Sequence, residues 1–166
     1  MRSASYKEGE RGFTLIELMV VVLIIGILLA IAIPTFLGGR QRAQDRAAQT
    51  SLRHALAGAK AIYTDTGSYR CATSTIGAAA PCVGIGVPVV EQALTYRAGN
   101  LASTGPRNVS VAPSGAPFQS WSAAARSQSG RCFWIRDIAT AGGGTRYGSG
   151  ATCTGNAAAA AAGTSW

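Results

Sequence analysis

The chain is predicted to be α+β: a long N-terminal helix, apolar enough in its first half to cross a membrane, packed through its C-terminal half on a small antiparallel β-sheet. Three observations carry that prediction. Leu18 to Ile33 has no polar side chain, and with Phe13 to Glu17 it reaches the roughly 20 residues a helix needs to cross hydrocarbon. Gln41 to Thr64 then keeps a helical period, and beyond Cys71 come short, partly alternating segments bounded by Gly, Pro and Ser.

Residues 1–12 are hydrophilic and have no apolar core of their own, which marks a processing leader outside the fold. The span follows, with Gly26 and Pro34 as points where a helix can bend or lose a hydrogen bond. Glu17 lies one turn inside it, where a carboxylate costs roughly 2.5 to 3.5 kcal/mol unless a positive group meets it. An ordinary secretory signal peptide is the rival, because Ala30-Ile31-Ala32 is also an A-x-A pattern, but its apolar core does not begin with a buried acid. Charge does not orient the span: Arg2, Lys7 and Arg11 before it are matched by Arg40, Arg42 and Arg46 after it.

Gly12-Phe13-Thr14-Leu15-Ile16-Glu17 after a short basic leader, followed by an unbroken apolar helix with a proline at its far end, resembles the cleavage and methylation signal of type IV pilins and pseudopilins. The resemblance covers Gly12 to about Pro34 and implies the type IV pilin fold. It implies that Gly12 precedes the cut made by a prepilin peptidase and that Phe13 becomes the N-methylated terminus. By the same resemblance Glu17 supports assembly, and the stretch between Gly26 and Pro34 loosens when subunits pack. The leader is then cytoplasmic, and the subunit passes from the cytoplasmic membrane into an extracellular filament.

Beyond Gly38-Gly39 a bent continuation of the helix is expected. Ala48, Leu52, Ala55, Leu56, Ala59, Ile62 and Tyr63 recur at steps of three and four and should face the sheet. Arg42, Arg46, Gln49, Arg53 and Lys60 form a polar stripe. Ala43, Ala47, Ser51, His54, Gly58 and Ala61 form a third face of mostly small residues. Small side chains let backbones approach, so that face is either a contact between subunits or small because the whole chain is rich in Ala. Asp65-Thr66-Gly67 ends the helix, and Ile62 to Tyr69 resembles the helix exit of pseudopilins and bacterial pilins, departing from it at Arg70, where a proline often stands.

Cys71 to Pro88 reads as a loop, Val89 to Tyr96 as a helical turn, and Asn108–Val111, Gln119–Arg126, Cys132–Ile138 and Thr145–Tyr147 as a meander turning at Gly142-Gly143-Gly144. Ala123 to Asp137 resembles the last sheet hairpin of actinobacterial-type pilins. Trp121, Phe133 and Trp134 are expected as core or cross-strand aromatics. Residues 156–166, mostly Ala, read as a flexible tail. The division expected is therefore 1–12 leader, 13–37 membrane and polymerisation half, 38–155 outer domain and 156–166 tail.

Cys71, Cys82, Cys132 and Cys153 all lie beyond the span, and in an exported chain an even count argues for disulfides, with three connectivities open. The sequence-local pairing, Cys71 with Cys82 and Cys132 with Cys153, is the expectation. A zinc site is the rival, without C-x-x-C or Cys/His spacing to support it. The formal charge is +8, and removing residues 1–12 takes away three bases and two acids and leaves +7. Such an excess is a solvated basic surface or a weakly supported DNA contact, since the arginines beyond residue 64 are scattered singly. No phosphate loop, G-x-S-x-G or paired carboxylates occur, so neither an enzyme nor a cofactor nor a metal site is expected. Asn108-Val109-Ser110 matches a glycosylation acceptor at the level of chance.

The function expected from the resemblance is a structural subunit of a type IV pilus, serving motility, adhesion or DNA uptake, with a pseudopilin of a type II secretion system as the alternative. The partners implied are other copies of the chain, the prepilin peptidase and the assembly platform in the inner membrane.

Overall fold

The computed structural model of the chain describes residues 12–78 and 80–166. The leader assigned to residues 1–12 therefore lies outside the described residues up to Arg11. The described chain forms two compact units that meet in sequence at Gly39 and Arg40.

Helix α1 runs from Leu15 to Thr66 and contains Pro34. It continues through Gly38 and Gly39 without a break in its helical assignment. Pro34 removes one backbone donor, and next to it the Thr35 hydroxyl donates to the Ile31 carbonyl at 2.9 Å. The helix stops where the sequence places its breaker: Gly67 has a φ of 71° and its N–H closes the last turn onto Tyr63 at 2.8 Å.

In the unit from Arg40 onward, Ala48, Leu52, Ala55, Leu56, Ala59 and Ile62 are all buried, as their spacing predicts. They pack on a five-stranded sheet in the order β1 (Thr95–Ala98), β2 (Asn108–Ser114), β3 (Ser120–Arg126), β4 (Cys132–Ile138), β5 (Gly144–Gly150). One core joins those helix residues to Val109, Val111, Trp121, Ala123, Ala125, Phe133 and Ile135. Alternation sends the opposite residues outward, where Ala124, Cys132, Cys153 and Ala158 form a second cluster with Trp134 packed against it. The run Ala123-Ala124-Ala125 at the centre of the sheet lets both layers come close.

Three sequence expectations are corrected. The sheet is mixed, because β1 pairs with β2 in parallel, Thr95 opposite Asn108 through Ala98 opposite Val111. The sequence read as one helical turn, Val89 to Tyr96, in fact divides: helix α2 takes Val87–Val90 and its C-terminal end is already in β1. Residues 156–166 are not a flexible tail. Thr154 caps the short helix α3 (Gly155–Ala158) by accepting from the Ala157 N–H. Ala158 and Ala161 are buried, and Gly163 pairs with Tyr147 on the free edge of β5. Trp166 then donates to the Trp134 carbonyl at 2.8 Å and meets Phe133 and Tyr147 edge-on. An Ala-rich stretch has no bulk of its own to bury, but here the sheet face offers Trp134, whose indole crosses β5 so closely that a Cβ at Gly150 would lie 2.2 Å from it.

Candidate functional site: the N-terminal motif and the helix it opens

Gly12, Phe13 and Thr14 precede the helix outside any regular element, and Phe13 is 84% exposed. Thr14 is the residue before the first helical position, and Glu17 is the third residue of the helix. The Thr14 N–H donates to Glu17 Oε2 at 3.2 Å, the Thr14 hydroxyl donates to the same oxygen at 3.0 Å, and the Glu17 N–H donates back to the Thr14 hydroxyl at 3.3 Å. This is a capping box: two free donors of the first turn are satisfied reciprocally, and the acid sits at the positive end of the helix dipole. The pattern Thr-x-x-Glu before an apolar run is legible in the sequence, yet the cost of a buried carboxylate drew attention to Glu17 alone. The geometry gives it a local partner as well.

Past Glu17 the helix is apolar on every side. One 18-residue window reaches a mean hydropathy of 3.1 with none of it buried, and all its large side chains, from Leu15 through Leu37, are exposed. Residues 15–37 extend about 35 Å at 1.5 Å per residue, against a hydrocarbon thickness of about 30 Å. Gly26 and Pro34 both lie within this stretch, and a Cβ at Gly26 would meet nothing. An apolar surface of this extent on a folded chain marks contact with lipid or protein.

In the second unit, the helix is fixed to the sheet by polar ties that sequence reading did not find. The Lys60 ammonium lies 3.0 Å from Asp137 Oδ1, Tyr69 donates to Asp137 Oδ2 at 2.6 Å, and Thr145 donates to Oδ1 at 2.7 Å. Burial pushes the Asp137 carboxyl up, but the bonds from Tyr69 and Thr145 and the Lys60 charge outweigh it and hold it below the ordinary carboxylate range. Burial, then the bond to Asp137, pushes the Tyr69 hydroxyl well above the usual tyrosine range. Nearer the start of the unit, Arg131 lies 3.1 Å from Asp45, and Ser129 donates to the same carboxylate. Asp45 too is held low, its burial outweighed by Ser129, Ser127 and Arg131. The sequence places Lys60 on a polar stripe of the helix. Only the fold brings Asp137 beneath it.

The cysteines pair as Cys71 with Cys82 and Cys132 with Cys153, at Cα separations of 5.2 and 5.4 Å. The second bond ties the start of β4 to the segment after β5, under α3.

The small helical face divides. Ala43, Ala47, His54 and Ala61 are exposed. Ser51 and Gly58 are buried in their own subunit, which corrects their assignment to a contact between subunits. The reason at Gly58 is α2: a Cβ there would lie 3.3 Å from Glu91 and 3.4 Å from Val87, so the glycine admits the short helix. Among the described residues no three His, Cys, Asp or Glu side chains gather to hold a metal. What the arrangement offers is surface: an apolar helical stretch with a capped start, and a domain whose helix and sheet are cross-tied.

The family model for the prokaryotic N-terminal methylation motif matches residues 9–33. The chain is 42% identical over 77 residues to the type IV major pilin protein PilA of Myxococcus xanthus, covering 46% of this chain and 35% of that one. It is 41% identical over 61 residues to the type IV wide pilus major component PilA4 of Thermus thermophilus, covering 37% of this chain and 47% of that one. It is also 41% identical over 56 residues to the type II secretion system core protein G of Klebsiella pneumoniae, covering 34% and 39%. The matches thus span less than half the length of these curated relatives. No solved structure matches. The methylation motif and the apolar helix it opens are thus similar to those of type IV pilins and of a type II secretion core protein, and here they lead into an α+β domain.

Proposed function

We propose that the chain is a structural subunit of a type IV pilus, cleaved between Gly12 and Phe13 by a prepilin peptidase, methylated on Phe13, and polymerised through its apolar helix. The observation that carries this reading is the capped start of α1: Gly12-Phe13 stand exposed just outside a helix whose first turn is closed by Thr14 and Glu17. A protease has an exposed glycine-containing segment outside the helix to work on, and the new α-amine of Phe13 emerges within one turn of the Glu17 carboxylate. A helix entering a filament also brings the Phe13 amine of a neighbouring subunit to the depth of Glu17; in hydrocarbon that pair between subunits stabilises a correctly registered subunit, whereas misregistration leaves the acid without it. Before assembly the span holds the precursor in the cytoplasmic membrane with its leader inside; afterwards the second unit is displayed on the filament. The assembly platform and other copies of the chain are its partners, and the role is structural and not catalytic.

Similarity to a type II secretion core protein supports a second reading, a pseudopilin whose short filament serves secretion. Electron microscopy of cells lacking the chain separates them. Loss of surface pili, restored by the gene, supports the pilus reading; intact pili with lost protein secretion supports the pseudopilin.

A further inference from the structure

The outer face of the sheet carries two like charges side by side. Arg136 on β4 and Arg146 on β5 are directly opposite one another in the antiparallel register. Like charges in that position repel, and both residues are half-buried. Neither has an ion pair among the described residues. The described acids lie elsewhere: Asp45 is paired with Arg131, Asp137 with Lys60 on the opposite face of the sheet, Glu91 lies beside His54, Asp65 ends α1, and Glu17 caps its start.

Arg136 is not free to turn away. Its Nη1 donates to the Ala159 carbonyl of the docked C-terminal segment at 2.8 Å, and its Nε is buried with no acceptor among the described residues. The guanidinium is thereby held at the wall of an open cavity of about 480 Å³ that is also lined by Ser114, Ser120 and Thr140. The Ser114 and Ser120 hydroxyls are 2.8 Å apart and bond to each other, which leaves one of the two with a proton to donate outward.

We propose that Arg136 and Arg146 form an oxyanion site on the outer sheet face, with phosphate as its ligand chemistry, free or carried in a phosphodiester backbone. A phosphate oxygen pair matches the planar fork of one guanidinium, and a second arginine beside it neutralises the remaining charge. The bound anion removes the repulsion between the two strands, so binding and stability of the β4–β5 pair rise together. The site does not depend on the filament reading.

The test uses the full chain in detergent micelles, titrated calorimetrically with sodium phosphate against sodium chloride at matched ionic strength. Saturable, phosphate-specific binding is expected, and Arg146→Gln, which removes no side-chain hydrogen bond among the described residues, should weaken it by about tenfold or more. Arg136→Gln should weaken it similarly, and Arg42→Gln, on α1, should leave it unchanged. Phosphate heats equal to those of chloride, or unaltered affinity in Arg146→Gln, overturn the site. A labelled oligothymidylate that phosphate displaces, and that both variants fail to bind, assigns the phosphodiester as the source. An oligothymidylate indifferent to the variants, alongside specific phosphate binding, assigns free phosphate.

Discussion

Lys60 reaches from α1 to within 3.0 Å of Asp137 on β4, and the two differ sharply in exposure: the lysine side chain is 49% exposed and the aspartate 5%. The aspartate is the partner that cannot be left alone. Asp137→Ala removes the acceptor for Tyr69, Thr145 and Lys60 together, and should destabilise the chain by about 3 kcal/mol. Lys60→Met removes a half-solvated cation and should cost only about 1 kcal/mol. Chemical denaturation of both variants in micelles checks the asymmetry; equal losses would show that the ion pair and not the hydrogen-bonded hub matters.

The Asp137 hub and the Asp45 pair together set a pH window. Asp137 and Asp45 are held low in the folded state, so their contribution is present above the ordinary carboxylate range and is lost as pH falls below about 4. Tyr69 is held high, so its contribution is present below about 10 and is lost as pH rises beyond that. Thermal unfolding across pH should therefore show a plateau between these limits, with Asp137→Asn flattening the acid limb. An unchanged acid limb in that variant would remove Asp137 from it.

Ala47 and Gly58 were placed on one helical face by periodicity, and the structure separates them. Ala47→Leu extends into solvent and should leave the melting temperature nearly unchanged while thinning or abolishing filaments if this surface contacts a neighbouring subunit. Gly58→Leu drives a side chain into Val87 and Glu91 and should destabilise the fold by about 1 to 3 kcal/mol. Early melting of Ala47→Leu would mean that this surface is internal.

The C-terminal segment is expected to act as a clasp. Truncation after Gly155 uncovers the outer cluster of Ala124, Cys132 and Cys153 and frees the β5 edge at Tyr147. Amide exchange in Gly144–Gly150 should then accelerate by at least about tenfold, the consequence of losing roughly 1.4 kcal/mol of local stability. Unchanged protection of β5 would contradict the clasp.

Local chemistry made much of this readable in advance. The buried stripe from Ala48 to Ile62 announced itself by its spacing, β4 by the run from Cys132 to Ile138, and the helix end by Gly67. What could not be read required partners far apart in sequence. Asp137 is an isolated acid until Lys60, Tyr69 and Thr145 converge on it, and Gly58 looks like part of a small-residue face until α2 arrives. The parallel pairing of β1 rests on backbone bonds that leave no alternation to detect in a strand of four residues. In residues 156–166 composition misled, because the anchoring group is a single tryptophan at position 166.

Glu17 answers to two demands that substitution can separate. Glutamine can keep the capping box with Thr14 but carries no charge, whereas alanine keeps neither. If charge pairing with the Phe13 amine governs registration, Glu17→Gln and Glu17→Ala both give few filaments while the second unit folds normally and cleavage after Gly12 continues. If the cap suffices, Glu17→Gln recovers substantially. Normal filament numbers from Glu17→Ala, read by shearing and immunoblot, would remove Glu17 from assembly.

The central claim, processing at the junction of leader and helix followed by display in a filament, is tested most directly by the intact mass of the chain recovered from sheared surface filaments. The expected mass is that of residues 13–166 with one added methyl group. A chain beginning at Ile33, as the Ala30-Ile31-Ala32 pattern would direct, or one still carrying residues 1–12, would contradict it.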